Sequence, residues 1–500
     1  MKRNKTFYFI VPLLVFLMGM GFIRLISQEN PMNRAEREEW ITQLKKYAEI
    51  YAQIKHSYPK PYNEKKLFFS SIKGFLSVLD PHSYFMDPVA MRSLDEDQQG
   101  NFYGIGTRIT KYEDRLTVVE CMEGTPAYRH GIIVGDVIVD IDGNDTRKLS
   151  IDECMQKLRG GKDTTVSIKI KREGVSSLLP FTIKRAEIPL NSVSYAVTFL
   201  QAPQIGYISL RNFGNTTAKE VEDSVAKLVE KNKIKGLVID LRGNAGGSFY
   251  AAVDLSDLFL EKGKSIVSMQ GRNFHQSFNA RKNGQYEDLP LTVLINRGSA
   301  SASEIVASAL QDNKRAKIIG SRSWGKGLVQ TINRLSMNTS VALTTAKYYT
   351  PNNKCLQRDF GQLDDYFFFL KNTDYDTDTT IEGGVMPDIY VKPDVYKGPV
   401  FTFISNGIFF KFARYLMDTG IQIGLDFKVD SKIMEMFKSF LDKEKIEYDK
   451  ADYNEGLEDI RTEIQREVLT IKFSADEGVR VFLETDPVAA AALTELKKII

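Results

Sequence analysis

Histidine is scarce in this chain: His56, His82, His130 and His275 are the only four in 500 residues. A Ser–His–Asp hydrolase would have to draw on one of them, and a histidine-based zinc site would need several together. Neither HExxH nor GxSxG occurs. Cysteine is scarcer still. Cys121, Cys154 and Cys355 cannot build a disulfide framework, and no C-x-x-C offers metal-ligand spacing. Excess charge is also missing. With 67 basic and 64 acidic residues the net charge is +3, so composition gives no case for nucleic acid as a partner. A hydrophobic fraction of 43% and a charged fraction of 26% are ordinary for globular chains, and the length predicts about three domains.

The N-terminus departs from this balance. Met1-Lys2-Arg3-Asn4-Lys5 is basic, Phe7 to Ile23 is an apolar run of 17 residues, and Arg24 ends it. This is the layout of an export signal, at the short limit for a spanning helix. No A-x-A cleavage site or lipobox cysteine follows. Residues 1–30 are therefore expected to be an uncleaved signal anchor, basic end inside and the rest of the chain outside, with a cleaved signal peptide as the alternative. The inner membrane becomes a partner through this segment.

Residues 31–92 read as helical: EREEWITQLKKYAEIYAQIKHSY has apolar residues at helical spacing, and a second helix is expected over Glu64–Leu79, before Asp80-Pro81. Residues 88–100 read as a polar linker. From residue 95 to 187 short strands are expected at Leu116–Val119, Val137–Ile141, Val166–Ile170 and Phe181–Lys184, with a helix over Ile151–Leu158. Residues 188–397 alternate strands and helices: Ile205–Leu210, Ala218–Asn232, Gly236–Leu241, Phe249–Leu260, Leu289–Asn296. That pattern predicts an α/β layer with buried strands and a site at their C-terminal ends, where DLRGNAGG and NRGSASAS could face each other. RGNAGG lacks the Lys-Ser/Thr of a phosphate loop. The acidic string DYDTDTT lacks calcium-loop spacing. Residues 398–500 read as a helix-rich extension without a chemical motif.

The stretch Gly298–Gln330 carries the most chemistry. Ser299, Ser301 and Ser303 stand where a β-branched apolar run gives way to a helix, a junction that exposes backbone amides to a developing oxyanion. Lys326 follows between Gly325 and Gly327. A serine and a lysine that meet in space can act as nucleophile and base without histidine. The plain alternative is structural, since Ser301-Ala302-Ser303-Glu304 also fits a capping box.

The unit at 95–187 resembles a PDZ domain of the circularly permuted type found in bacterial proteases, on YGIG, TPAYRHGIIVGDVIVDIDG and LRGG. The resemblance makes Tyr103, Gly104, Ile105 and Gly106 the loop whose amides receive a peptide C-terminus while the peptide adds a strand, and puts Arg159 on the side facing the protease. Over about residues 65–395 the chain resembles the C-terminal processing peptidases, or tail-specific proteases. LDPHSYF, DLRGNAGG, NRGSASASEI, SWGKGLVQ, TTAKYYTP and GVMPDI carry this likeness in that order. It implies an α/β and α+β multidomain fold: an α/β protease core, an inserted, circularly permuted PDZ domain, and helical N- and C-terminal regions. It makes Ser301 the nucleophile, Lys326 the general base and Gln330 its orienting residue, with the amides of Gly247 and Ala302 as the oxyanion hole. Burial beside apolar residues would lower the lysine pKa far enough for it to act as a base; no metal or organic cofactor is required. Partners would be proteins or peptides with free C-termini, in the bacterial envelope facing the periplasm, and a homo-oligomer is compatible with it. Trp324 stands for the commoner Phe and Ala245 for the usual Pro or Ser, while residues 352–382 and 401–500 fall outside the pattern. Two other classes compete: a catalytically silent, membrane-anchored PDZ scaffold, and a hydrolase dependent on His275.

Overall fold

The computed structural model describes residues 33–112, 114–122, 124–358, 382–392 and 396–500. The expected signal anchor and most of the 352–382 insertion lie outside these residues. The chain divides into two compact units, one through Ser71 and one from Ile72 onward.

In the first unit, helix α1 (Arg34–Ser57) starts at a capping box in which Asn33 accepts from the Glu36 amide and Glu36 accepts from the Asn33 amide. Helix α2 (Glu64–Leu76) begins in the same unit, with Tyr47 Oη and Ser71 Oγ 2.6 Å apart and Lys55 paired to Glu64 at 3.2 Å. Helix α2 stops three residues short of the expected Leu79.

The second unit opens with strand β1 (Tyr84–Met86) and helix α3 (Pro88–Gln99). Residues 88–100 are thus a helix and not a linker. Asp87 caps it by accepting from the Val89 and Ala90 amides at 3.0 Å, Pro88 stands at its first position, and left-handed Gly100 ends it. The polar run Asp95–Gln99 at its end concealed it. The short-strand unit follows: β2 (Asn101–Gly104), β3 (Thr107–Tyr112), β4 (Arg115–Cys121), α4 (Pro126–Arg129), β5 (Val137–Ile141), β6 (Asn144–Asp145), α5 (Ile151–Leu158), β7 (Thr165–Lys171), β8 (Leu179–Lys184) and β9 (Ala186–Pro189). Its main sheet runs β3-β4-β5-β7-β8, and β2 pairs antiparallel with β9. Alternation in β7, where Val166, Ile168 and Ile170 are buried and their neighbours exposed, turns one face onto a small core with Leu116, Ile138, Cys154 and Ile183.

The α/β part comprises β10 (Val193–Phe199), β11 (Ala202–Leu210), α6 (Thr217–Asn232), β12 (Gly236–Asp240), α7 (Phe249–Asp257), β13 (Ser265–Gly271), β14 (His275–Asn279), β15 (Leu291–Ile295), α8 (Ala302–Asp312), β16 (Lys317–Gly320), β17 (Leu328–Leu335), β18 (Thr339–Tyr349) and β19 (Ile389–Tyr390). The central sheet has the order β10-β11-β12-β15-β16-β19, parallel except for the β10–β11 pair. GLVID and LTVLI are buried at every position, as strands covered on both faces require. Helices α6, α7 and α8 cover one face through Val225, Leu255 and Ile305. A second sheet, β1-β18-β13-β14 with β17 on β18, packs beside it. Residues 84–86, expected in a helical region, are here an outer strand whose Phe85 lies opposite Val341.

Helices α9 (Val400–Ser405), α10 (Ile408–Asp418), α11 (Ser431–Lys443), α12 (Lys450–Glu455), α13 (Leu457–Lys472), α14 (Ala475–Thr485) and α15 (Pro487–Lys497) complete the chain. The earlier ones build a core of their own around Phe403, Phe412, Phe437 and Ile464. The last does something else: Ala489, Leu493 and Leu496 of α15 cover the second face of the central sheet at Val238, Leu294 and Ile319.

Candidate active site

Strands β12 and β15 are adjacent and parallel, with Leu237 opposite Leu291, so the loops that leave their C-terminal ends emerge side by side. Asn244 stitches the two loops together. Its backbone carbonyl accepts from the Ala300 amide at 3.0 Å and from Ser303 Oγ at 2.8 Å, while its side-chain nitrogen donates to the Leu210 carbonyl. Below them Arg242 pairs with Asp240 at 2.6 Å and with Asp486 at 2.5 Å, fixing the end of β12 to the start of α15.

The three serines separate by role. Ser299 Oγ donates to the Leu241 carbonyl at 2.7 Å and Ser303 Oγ to the Asn244 carbonyl at 2.8 Å, and both residues are fully buried. Ser301 is half-buried at the head of α8, held at φ 54° and ψ −109°, a strained conformation for a residue with a side chain. The glycine loop presses on it. A Cβ on Gly246 would lie 2.9 Å from Ser301 Cβ and 3.0 Å from the Ala302 nitrogen. Gly247, at φ 146°, would put a Cβ 2.2 Å from the Phe213 carbonyl oxygen. Glycine is required at both places. Among the described residues neither the Gly247 amide nor the Ala302 amide is given to a protein acceptor. One of these donors adjoins Ser301 in the chain, and the other follows Gly246, which packs on Ser301.

Lys326 reaches the same place through Glu304. This fully buried carboxylate accepts from the Ser301 amide at 2.7 Å and the Lys326 amide at 2.9 Å through one oxygen, Oε2. Its other oxygen accepts from Ser323 Oγ and the Gly325 amide, each at 2.6 Å. The capping-box glutamate does answer its helix start, but three of its four bonds go to the lysine loop. Burial pushes its carboxyl pKa up against the pull of these donors. Burial also lowers the pKa of Lys326, with Glu304 opposing in part. Lys326 forms no ion pair among the described residues.

Gln330, on β17, gives its amide nitrogen to the His82 carbonyl; among the described residues it has no bond to Lys326. The His82 turn is the component that sequence reasoning missed. Asp80 accepts from the His82 and Ser83 amides and from Ser83 Oγ, all at 2.7 Å, and so presents the turn to the site. The His82 pKa is lowered by burial and then by the Lys326 charge. LDPHSYF carried a signal in its Asp-Pro-x-Ser turn, without any indication of what the turn faces. His275, by contrast, is exposed on β14, with Ser277 Oγ 3.4 Å from its Nε2.

The Tyr103–Gly106 loop lies in the short-strand unit, away from these residues in sequence. The carbonyls of Tyr103, Ile105 and Gly106 accept from the Gly160, Ala127 and Met122 amides at 3.1, 2.8 and 3.0 Å, while the amides of Ile105 and Gly106 have no protein acceptor among the described residues. Arg159 pairs with Glu96 of α3 at 2.9 Å and covers the Phe102 ring at 4.3 Å.

A family model described as Peptidase family S41 matches residues 204–366, and one described as a PDZ domain matches residues 117–172. The carboxy-terminal-processing protease of Bartonella bacilliformis is 34% identical over 404 residues, covering 79% of this chain and 85% of that protein. Carboxy-terminal processing protease CtpA of Bacillus subtilis is 31% identical over 359 residues, covering 72% and 76%. Among solved structures, the photosystem II D1 C-terminal processing protease aligns over 69% of this chain and 87% of its own at 28% identity, with a TM-score of 0.39. Fold, site and relatives together define a serine-type peptidase that carries a PDZ domain. The chain belongs to Peptidase family S41, with the carboxy-terminal processing proteases.

Proposed function

We propose that this peptidase cleaves protein substrates near or from their C-termini with Ser301 as nucleophile and Lys326 as general base. The observation that carries the reading is the shared acceptor: one oxygen of Glu304 binds the backbone of both residues, which are far apart in sequence. Neutral Lys326 takes the Ser301 proton as Oγ attacks the scissile carbonyl. The amides of Gly247 and Ala302 receive the oxyanion. Lys326 then returns the proton to the leaving amine, and water, activated by the same lysine, hydrolyses the Ser301 ester. Gln330 orients the site through the His82 turn, a modification of the direct contact expected from sequence.

The short-strand unit is read as a PDZ domain inserted into the protease and circularly permuted. The pairing of its first strand, β2, with its last, β9, supports insertion, since the ends of the unit meet. Tyr103, Gly104, Ile105 and Gly106 receive the substrate carboxylate. The division at 95–187, 188–397 and 398–500 follows from this reading. Residues 1–30 would hold the chain at the inner membrane, facing the periplasm, though no helix among the described residues is long and apolar enough to cross a membrane. An alkaline phosphatase fusion after residue 30 should be active if export is correct and inactive if it is not.

Acid quenching during turnover, followed by peptide mapping, tests the chemistry. The acyl group should be found on Ser301. An acyl group on another residue, or turnover with none, would overturn the assignment.

A further inference from the structure

We infer that the groove between β3 and α5 selects tails with an acidic side chain about four residues before an apolar C-terminal residue, and that Lys111 makes that selection. The inference rests on the PDZ reading above and adds to it the chemistry of the tail.

Strand β3 is the edge of its sheet, paired only with β4, so its outer row of N–H and C=O groups is open to an added strand. Helix α5 closes the groove from the other side and is tied down at both ends. At its C-terminal end the Gly160 amide donates to the Tyr103 carbonyl at 3.1 Å, which fixes it to the carboxylate loop. At its N-terminal end Lys111 Nζ donates to the Leu149 carbonyl at 2.6 Å, which fixes it to β3. An eight-residue helix is about 12 Å long at 1.5 Å per residue. An extended peptide rising about 3.3 Å per residue covers that length in roughly four residues.

The two ends differ in chemistry. Near the loop stand the free amides of Ile105 and Gly106, with half-buried Ile109 and exposed Met155 offering apolar surface above the buried Leu158. At the far end stands Lys111. It is two residues from Ile109 on β3 and so shares the face that Ile109 turns toward the core. An ammonium has three N–H donors. One goes to Leu149, and no carboxylate is within ion-pair distance among the described residues. The neighbouring Glu153 is committed to the helix start, accepting from the Ser150 amide at 2.7 Å. A peptide with its carboxylate at the loop runs antiparallel along β3 and brings the residue four before its last, which shares the face of the last, to Lys111. An acidic side chain there would supply the missing partner.

The test uses the full chain in detergent with Ser301→Ala, so that tails are bound without turnover, and fluorescence anisotropy with labelled decapeptides ending in leucine. One peptide has Asp four residues before the terminal leucine and one has Lys. A third has the Asp sequence with a C-terminal carboxamide. The Asp peptide should bind about two- to fivefold tighter than the Lys peptide, the range expected of a part-exposed ion pair. Lys111→Gln, which keeps a donor for Leu149 but loses the charge, should remove the difference, and Lys111→Glu should invert it. Equal binding of acid and carboxamide would overturn the PDZ reading itself. A carboxylate requirement with an Asp-to-Lys ratio unmoved by either variant would overturn the role of Lys111 and leave the PDZ reading standing.

Discussion

At the scale of single residues, the account turns on a lysine held below its ordinary pKa by burial. In the proposed chemistry the base is the neutral amine, so kcat/KM should rise through the lowered folded-state pKa and stay high above it; a pH profile of peptide cleavage checks this. The same shift has a stability consequence. Between the lowered value and the ordinary lysine value the unfolded chain holds a proton that the folded chain does not, so stability increases with pH across that window. Lys326→Met removes this burial cost. It should raise Tm at neutral pH, with the gain shrinking as pH approaches the ordinary lysine range, while lowering kcat/KM by about 10²–10⁴-fold. Calorimetry at two pH values and a cleavage assay read both effects. Ser301 and Lys326 were singled out by the resemblance that the ordered motifs carry, since type and spacing alone also fit a plain helix start. Glu304 was not, because S-x-x-E has the same spelling whether its glutamate serves one helix start or joins two loops. His82 was equally hidden: its ring environment depends on Lys326, far away in sequence.

At the scale of elements, the site is a pair of strand-to-helix loops locked by glycines and one carboxylate. Gly247→Ala would drive a Cβ into the Phe213 carbonyl at 2.2 Å and move the amide proposed to receive the oxyanion. It should cost about 10²–10³-fold in kcat, the value of an oxyanion donor, with a smaller change in KM. Glu304→Gln keeps the shape but replaces one acceptor oxygen with a donor, leaving at least one buried donor unpaired. That should destabilise the fold by about 1–3 kcal/mol in urea unfolding. Elements with strong local signals were legible. Helix α5 occupies the expected Ile151–Leu158 because Ser150 and Glu153 form a complete capping box. Strand β12 follows from a continuous apolar run. Helix α3 was not legible, since the polar run Asp95–Gln99 that ends it reads as a linker, and the partners of Met91 and Leu94 come from another part of the chain.

At the scale of the whole molecule, the C-terminal residues do two things. Most of their helices form a separate core, whereas α15 seals one face of the central sheet, and Asp486 joins Asp240 around Arg242. Arg242→Ala would leave two buried carboxylates without their cation and should cost about 3–5 kcal/mol in denaturant unfolding. Such long-range closure leaves no mark in a local pattern: nothing in the α15 sequence names the strands it covers, and nothing in Tyr84–Met86 names β18. The most direct measurement of the central claim is cleavage of an unfolded protein ending in small apolar residues, followed by mass spectrometry. The full chain in detergent would be compared with its Ser301→Ala, Lys326→Ala and His275→Ala variants. Cleavage by the unaltered chain and by His275→Ala, and by neither of the others, is the predicted result. Cleavage that survives Lys326→Ala, cleavage lost with His275→Ala, or tail binding without cleavage in all four would contradict it.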